Sequence, residues 1–357
     1  MEPLKAGVAA IALIAVATGC ATNDAAGISS DISAAYQPVQ TDAPTLEARL
    51  AALETDAFDM APAANPNIDA IIAAMPALVT ISYDEQLTDR SGAAIVRGLK
   101  IAPSMMPTIG FEIGELRVWG LDGDFAVARL NGERLDETAP LARRLEAANT
   151  RLYGLEGVVG MLMGLAASDP DMPDMTFDSY NFTIGKIVYD DLVLRPYVMD
   201  AKTPEMLEDA AQFFPIVQQI AAVNRTIAVD TVATYDVNAA AQVTIDGMPN
   251  TFNMAMDLAG SRGQRGGDVD QSVGRGFRYA IDMPSAAASG GPPIKMDVGL
   301  DSFSTSGMRL DRVMDHLARG VMPERDSPGL LSLGVTQLAG ERVALNDTEI
   351  YTVGGAT

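Results

Sequence analysis

Between residues 79 and 130 apolar and polar positions alternate with the period of an extended chain: Ile81 and Tyr83, Phe111 and Ile113, Leu116 and Val118, then Phe125 and Val127. Turn signals at Arg90-Ser91-Gly92 and Asp122-Gly123-Asp124 divide the stretch, which predicts an antiparallel meander. From Glu137 to Ala167 the period lengthens. Leu141, Leu145, Ala148, Leu152, Leu155 and Val159 stand at helical spacing and predict a long amphipathic helix. Its uncharged second half, between Glu156 and Asp169, falls short of the roughly 20 residues a membrane span needs, so it reads as a buried helix.

Strand chemistry returns from Phe177 to Val198. A second helix opens at Thr203, with Pro204 in its first turn and Leu207, Phe214, Val217 and Ile220 on one face. The last third predicts strands at Thr226–Tyr235, Ala240–Ile245, Phe252–Ala259, Gly276–Met283 and Ile294–Leu300, then a helix at Leu310–Ala318 closed by Gly320. Strand-like segments at Leu330–Leu338 and Arg342–Val353 finish the chain, and short helices are expected at Thr45–Leu53 and Asn67–Leu78. There is an internal echo. Phe111-Glu112-Ile113-Gly114, with Leu121 seven residues on, matches Phe182-Thr183-Ile184-Gly185, with Leu192 seven on.

The fold class this predicts is α+β: mainly antiparallel sheet with several amphipathic helices packed on it, as two or three strand-plus-helix repeats. The chain divides into a segment 1–19, a flexible tether 20–43, a strand-and-helix unit 44–223 and a strand-rich unit 224–357. The tether is expected because Ala, Ser, Asp, Thr and Gln dominate it without apolar periodicity.

Segment 1–19 changes the picture most. Lys5 gives a positive start, Ala6 to Ala17 an apolar run too short to span a bilayer, and Val16-Ala17-Thr18-Gly19 lead with small residues into Cys20. This resembles the lipobox of bacterial lipoproteins, with Ala17 where that family prefers Leu. The resemblance implies cleavage before Cys20, lipidation of its thiol and, with Ala21 following, an outer-membrane protein facing the periplasm. Cys20 is the one cysteine in 357 residues, so no intramolecular disulfide competes for it. The implied partner is the membrane, reached through the lipid.

The strand blocks from Val79 to Val353 also resemble in texture the large envelope proteins of the AsmA type, whose repeated strands form an apolar groove for lipids. Net charge sharpens the partner list. At −22 it opposes nucleic-acid phosphates, and Arg262, Arg265, Arg275 and Arg278, set among glycines, are diluted by Asp268 and Asp270; that stretch reads as a long mobile hairpin loop.

Catalytic chemistry is scarce. His316 is the single histidine and sits near the end of a predicted helix, where it complements the dipole, and no G-x-S-x-G elbow exists. No cofactor constellation or catalytic set stands out. Asp169, Asp171, Asp174 and Asp178 form a weak candidate Ca²⁺ loop without EF-hand spacing, better read as an acidic solvated loop. Trp119 falls in a strand and reads as core. The methionines, including Met105-Met106, Met161-Leu162-Met163 and Met172 to Met175, suit adaptable apolar surfaces. The expected function is therefore a non-catalytic lipoprotein binding a hydrophobic ligand such as a lipid, or an envelope protein partner. The alternatives are an envelope-polymer hydrolase working with carboxylates, or a purely structural lipoprotein.

Overall fold

The computed structural model describes residues 43–55, 57–61, 68–75, 79–104, 107–154, 175–197, 214–245, 247–284, 293–321, 331–346 and 348–356. Twelve strands form one antiparallel sheet that follows chain order, with β2 paired beside β1 on β3. They are β1 (Val79–Ser82), β2 (Glu85–Thr88), β3 (Ala94–Pro103), β4 (Gly110–Trp119), β5 (Ala139–Tyr153), β6 (Met175–Leu194), β7 (Ile227–Ile245), β8 (Met248–Arg265), β9 (Val269–Met283), β10 (Ile294–Met308), β11 (Val335–Leu345) and β12 (Thr348–Ala356). The helices are short: α1 (Ala43–Thr55), α2 (Ile68–Ala74), α3 (Gly123–Leu130), α4 (Phe214–Thr226) and α5 (Asp311–Ala318).

This corrects the α+β expectation. The sheet dominates, and the helices of the described residues are few and short. Residues 139–153 of the expected long helix are strand β5, paired on both sides; the rest of that helix, from Leu155, lies outside the described residues. The expected turn at Asp122 instead starts α3: the Asp122 side chain accepts from Phe125 N at 2.9 Å, so Phe125 and Val127 are helical. The expected loop at 260–278 is the tightly turned β8–β9 hairpin, with its arginines on strands. Helices do occur at Asp311–Ala318 and over 214–226, while 203–213 lie outside the described residues.

The strands are bent, and in register. Gly98 lies opposite Gly114, because Arg97 pairs with Glu115 and Leu99 with Ile113. The same line continues across the sheet through Asn149, Gly185, Asp236, Asp257, Gly276 and Asp301 to Gly340. A second line crosses six residues away along each strand: Gly120, Arg143, Asp191, Asp230, Gly263, Asp270, Gly307 and Gly334.

Positive φ alternates between the lines, except that Gly334, just before β11 on the second line, takes it as well (φ 76). Odd strands take it on the first, at Gly98, Asn149, Asp236, Gly276 and Gly340 (φ 54 to 69). Even strands take it on the second, at Gly120, Asp191, Gly263 and Gly307 (φ 54 to 74). Glycine, Asp and Asn are the residues that tolerate this conformation, which explains their use at these positions. Gly276 shows why a neighbour matters as well: a Cβ there would stand 2.5 Å from Cγ of Asp257 on the facing strand.

At each line the side-chain alternation slips by one. In β6 the residues of the main apolar cluster are Phe182, Ile184, Ile187, Tyr189 and Leu192; in β4 they are Phe111, Ile113, Leu116 and Val118, with Leu121 just past its end. A straight strand would place them two apart throughout. Here steps of two and three alternate, so two consecutive residues point away from the cluster at every bend. The side with the extra residue is the longer arc, which makes the clustered face the inside of the curve. The internal echo is therefore a repeat of bent strands, and β4, β6 and β10 are each followed by a short helix, α3, α4 and α5, before the next strand.

On the outer face α1 crosses β7 to β9. Leu46, Leu50 and Leu53 are fully buried against Val188, Ala233, Tyr235 and Val273, and Gly260 allows the approach, since a Cβ there would stand 2.5 Å from Leu50. Tyr235 Oη donates to Leu50 O at 2.5 Å. Arg144 and Lys186 each donate to Leu53 O at 3.2 Å, placing two cations on the carbonyl end of the helix. A second outer cluster joins Phe58 and Met60 to Ala93, Ile95 and Trp119. Helices α4 and α5 pack on each other through Ala221, Ala222 and Ala318, with Arg225 and Asp315 bridged at 2.6 Å.

Candidate functional site: the inner face of the bent sheet

Because the bends stay in register, inner side chains form rows across the strands. One row runs from Ile101 through Phe111, Leu152, Phe182, Ala239, Met254, Tyr279 and Val298 to Val343. A parallel row between the two bend lines runs from Val96 through Leu116, Ala147 and Ile187 to Thr234, Ala259, Gly274, Phe303 and Leu338. At about 4.8 Å per strand, the nine strands from β3 to β11 give the trough a length of roughly 40 Å.

Its two halves differ. From β3 to β8 the fully buried inner residues are concentrated, with Ile184, Ile187 and Val237 at 2% exposure or less beside half-buried Leu152, Phe182 and Met254, and α2 packs against this cluster through Ile68, Ile71 and Ile72. From β9 onward the same positions are only half-buried: Phe277, Tyr279, Val298, Leu300, Phe303 and Val343. Large apolar side chains also reach solvent at this end, with Ile294 39%, Leu345 38% and Ile350 57% exposed. Met254, Met256, Met296 and Met308 lie on inner positions of β8 and β10.

One row changes character along its length. Ala94, Val118, Leu145, Tyr189 and Val232 are followed by Ser261, Ser272, Thr305 and Thr336. Thr305 and Thr336 hydrogen-bond through their hydroxyls at 3.0 Å. Thr150 is also inward and buried, with Oγ1 unsatisfied.

Apart from Glu341, opposite Leu300, charge on the strands from β3 to β11 lies on the outer face and is largely paired. Arg97 and Arg117 both reach Glu115, at 2.9 and 2.6 Å, and hold its carboxyl below the usual range. Arg278 pairs with Asp257, Arg342 with Asp301 at 2.5 Å, and Arg143 with Asp191, whose carboxyl burial nonetheless pushes up. Burial also raises the phenols of Tyr235 and Tyr197, the latter to about 12. A hollow of about 220 Å³ on the β6–β9 arms is rimmed by Asn181, Asn238, Asn253 and Arg278 over Ala240, Ala255 and Ala280.

The residues singled out from sequence are dispersed. Cys20, with segment 1–19 and the tether, lies outside the described residues, as do Asp169, Asp171, Asp174, Met105-Met106 and Met161 to Met163. Asp178 is on β6, where Thr244 Oγ1 donates to it at 2.6 Å, and Met175 begins that strand. No group of three or more His, Cys, Asp or Glu with metal-site geometry occurs among the described residues. His316 sits in the last turn of α5. Trp119 is 3% exposed and donates to Ser91 O at 3.1 Å, with Phe58 edge-on at 5.6 Å. Arg265 and Arg309 pair with Asp270, and Arg275 with Glu47 of α1. The inner rows were missed: the two-three spacing of apolar residues around each Gly or Asp marks which residues of one strand face inward, but not the register that joins them into rows.

Compared with protein-family models, curated proteins and solved structures, the chain matches none. No helix among the described residues is long and apolar enough to cross a membrane.

Proposed function

We propose that this protein is an exported, non-catalytic envelope lipoprotein, anchored through Cys20 on the periplasmic side of the outer membrane, whose inner sheet face binds the acyl chains of a lipid. The observation that carries this reading is the row from Ile101 to Val343: apolar across nine strands, buried at Ile101 and Phe111 and half-buried from Leu152 onward. Apolar surface left half-exposed in a concave face is favourable to cover, at about 0.8 kcal/mol per methylene buried. The AsmA-type texture of the sequence points to the same ligand class. A protein partner is the second reading, favoured by exposed Ile294, Leu345 and Ile350 beside the edge strand β12.

Two measurements test the proposal. Intact mass spectrometry of the membrane-extracted protein is expected to show a chain starting at Cys20 with a diacylglyceryl addition, lost in Cys20→Ala; an unmodified mature chain removes the anchor. Native mass spectrometry of the Cys20→Ala chain is expected to show co-purifying lipid, released by Phe303→Glu or Met254→Glu. Lipid-free protein that also fails to take up an added fluorescent acyl probe removes the ligand reading.

A further inference from the structure

The apolar rows say that acyl chains fit, and the hydroxyl row says what kind of head group they carry. This step rests on the lipid reading above and narrows its ligand. We propose that the ligand is an uncharged amphiphile whose hydroxyl- or carbonyl-bearing head group lies against Ser261, Ser272, Thr305 and Thr336.

Position comes first. These four side chains are consecutive cross-strand neighbours on β8, β9, β10 and β11. Ala259 and Phe303, two residues from Ser261 and Thr305 on the same face, belong to the apolar cluster. The hydroxyls therefore border an apolar wall where it is half-buried, and on β4 to β7 the same row is closed by Val118, Leu145, Tyr189 and Val232.

Capacity comes second. A hydroxyl donates once and accepts twice, so the single bond between Thr305 and Thr336 leaves both with capacity for a ligand oxygen.

Charge comes third. A phosphate or carboxylate head group held in an apolar trough needs a cation beside it. The inner positions of β8 to β11 carry no Lys or Arg: Arg262, Arg265, Arg275, Arg278, Arg309 and Arg342 fall on the outward set, and Arg265, Arg275, Arg278, Arg309 and Arg342 are paired there with acids. The chain's net charge of −22 repels an anionic head group and leaves a neutral one unaffected.

The test compares two probes sharing one fluorescent acyl chain, diacylglycerol and phosphatidylglycerol, titrated into the full chain carrying Cys20→Ala. Diacylglycerol is expected to bind at least about tenfold more tightly, and Thr305→Val or Ser272→Ala to weaken it by about three- to tenfold, the loss of one hydrogen bond, with phosphatidylglycerol unchanged. Thr336→Lys is expected to reverse the preference. Equal affinity for both probes, or variants that weaken both alike, overturns the head-group assignment and leaves the trough intact. Binding of neither probe overturns the lipid reading itself.

Discussion

Replacing Gly276 by alanine tests whether the bend lines hold the sheet in shape. Gly276 has φ +65, a conformation that costs an L residue roughly 1–2 kcal/mol. Its new Cβ would also stand 2.5 Å from Cγ of Asp257, forcing that carboxylate away from Arg278; the exposed ion pair is worth about 0–1 kcal/mol. The expected loss is about 2 kcal/mol, read as a lower urea midpoint at unchanged slope. Gly247→Ala is the control, because Gly247 has φ +75 but nothing within 4 Å of its added Cβ, so it reports backbone strain alone. In a double-mutant cycle, Asp257→Gly should restore the difference between the two glycine variants. The reasoning is refuted if Gly276→Ala is no worse than Gly247→Ala, or if Asp257→Gly rescues nothing.

Two further outcomes follow from packing and burial. Leu50→Ala removes a fully buried side chain from beneath α1 and should cost about 2–5 kcal/mol, with hydrogen exchange rising first in 43–55 as the helix detaches; unchanged exchange there would show that α1 is held by its ion pairs instead. Burial raises the Tyr197 phenol to about 12, so the folded state favours the neutral form. That contribution is complete below the ordinary phenol value of about 10 and is lost as pH rises toward 12. The urea midpoint should fall over that window and fall less in Tyr197→Phe, whereas identical pH profiles would remove Tyr197 as the cause.

Most strands were legible in the sequence, because β-branched and aromatic residues alternate within each straight segment and turn residues separate them. The failure at 139–153 has a physical cause. With two slips of alternation per strand, inner residues such as Leu145 and Leu152 fall seven apart with others between, which is also the spacing of a helical stripe. Glycines inside strands misled in the same way: Gly263 and Gly276 argue for a loop when taken singly, and become structural only when each is seen to face an Asp on a neighbouring strand. The candidate site was legible only as a chemistry, apolar and rich in methionine. Its location depends on register between strands far apart in the chain, which no local pattern contains.

The six-residue interval between the bend lines separates two dimensions of the molecule. Cross-section is written within each strand, by where its Gly, Asp or Asn falls; length is written by how many strands are present. One extra hairpin carrying the same interval would lengthen the trough by about 10 Å, two strand spacings, without altering its profile. The length of the apolar face is thus open to change by duplicating a hairpin, while a shift of one residue in the interval would break the rows across the whole sheet.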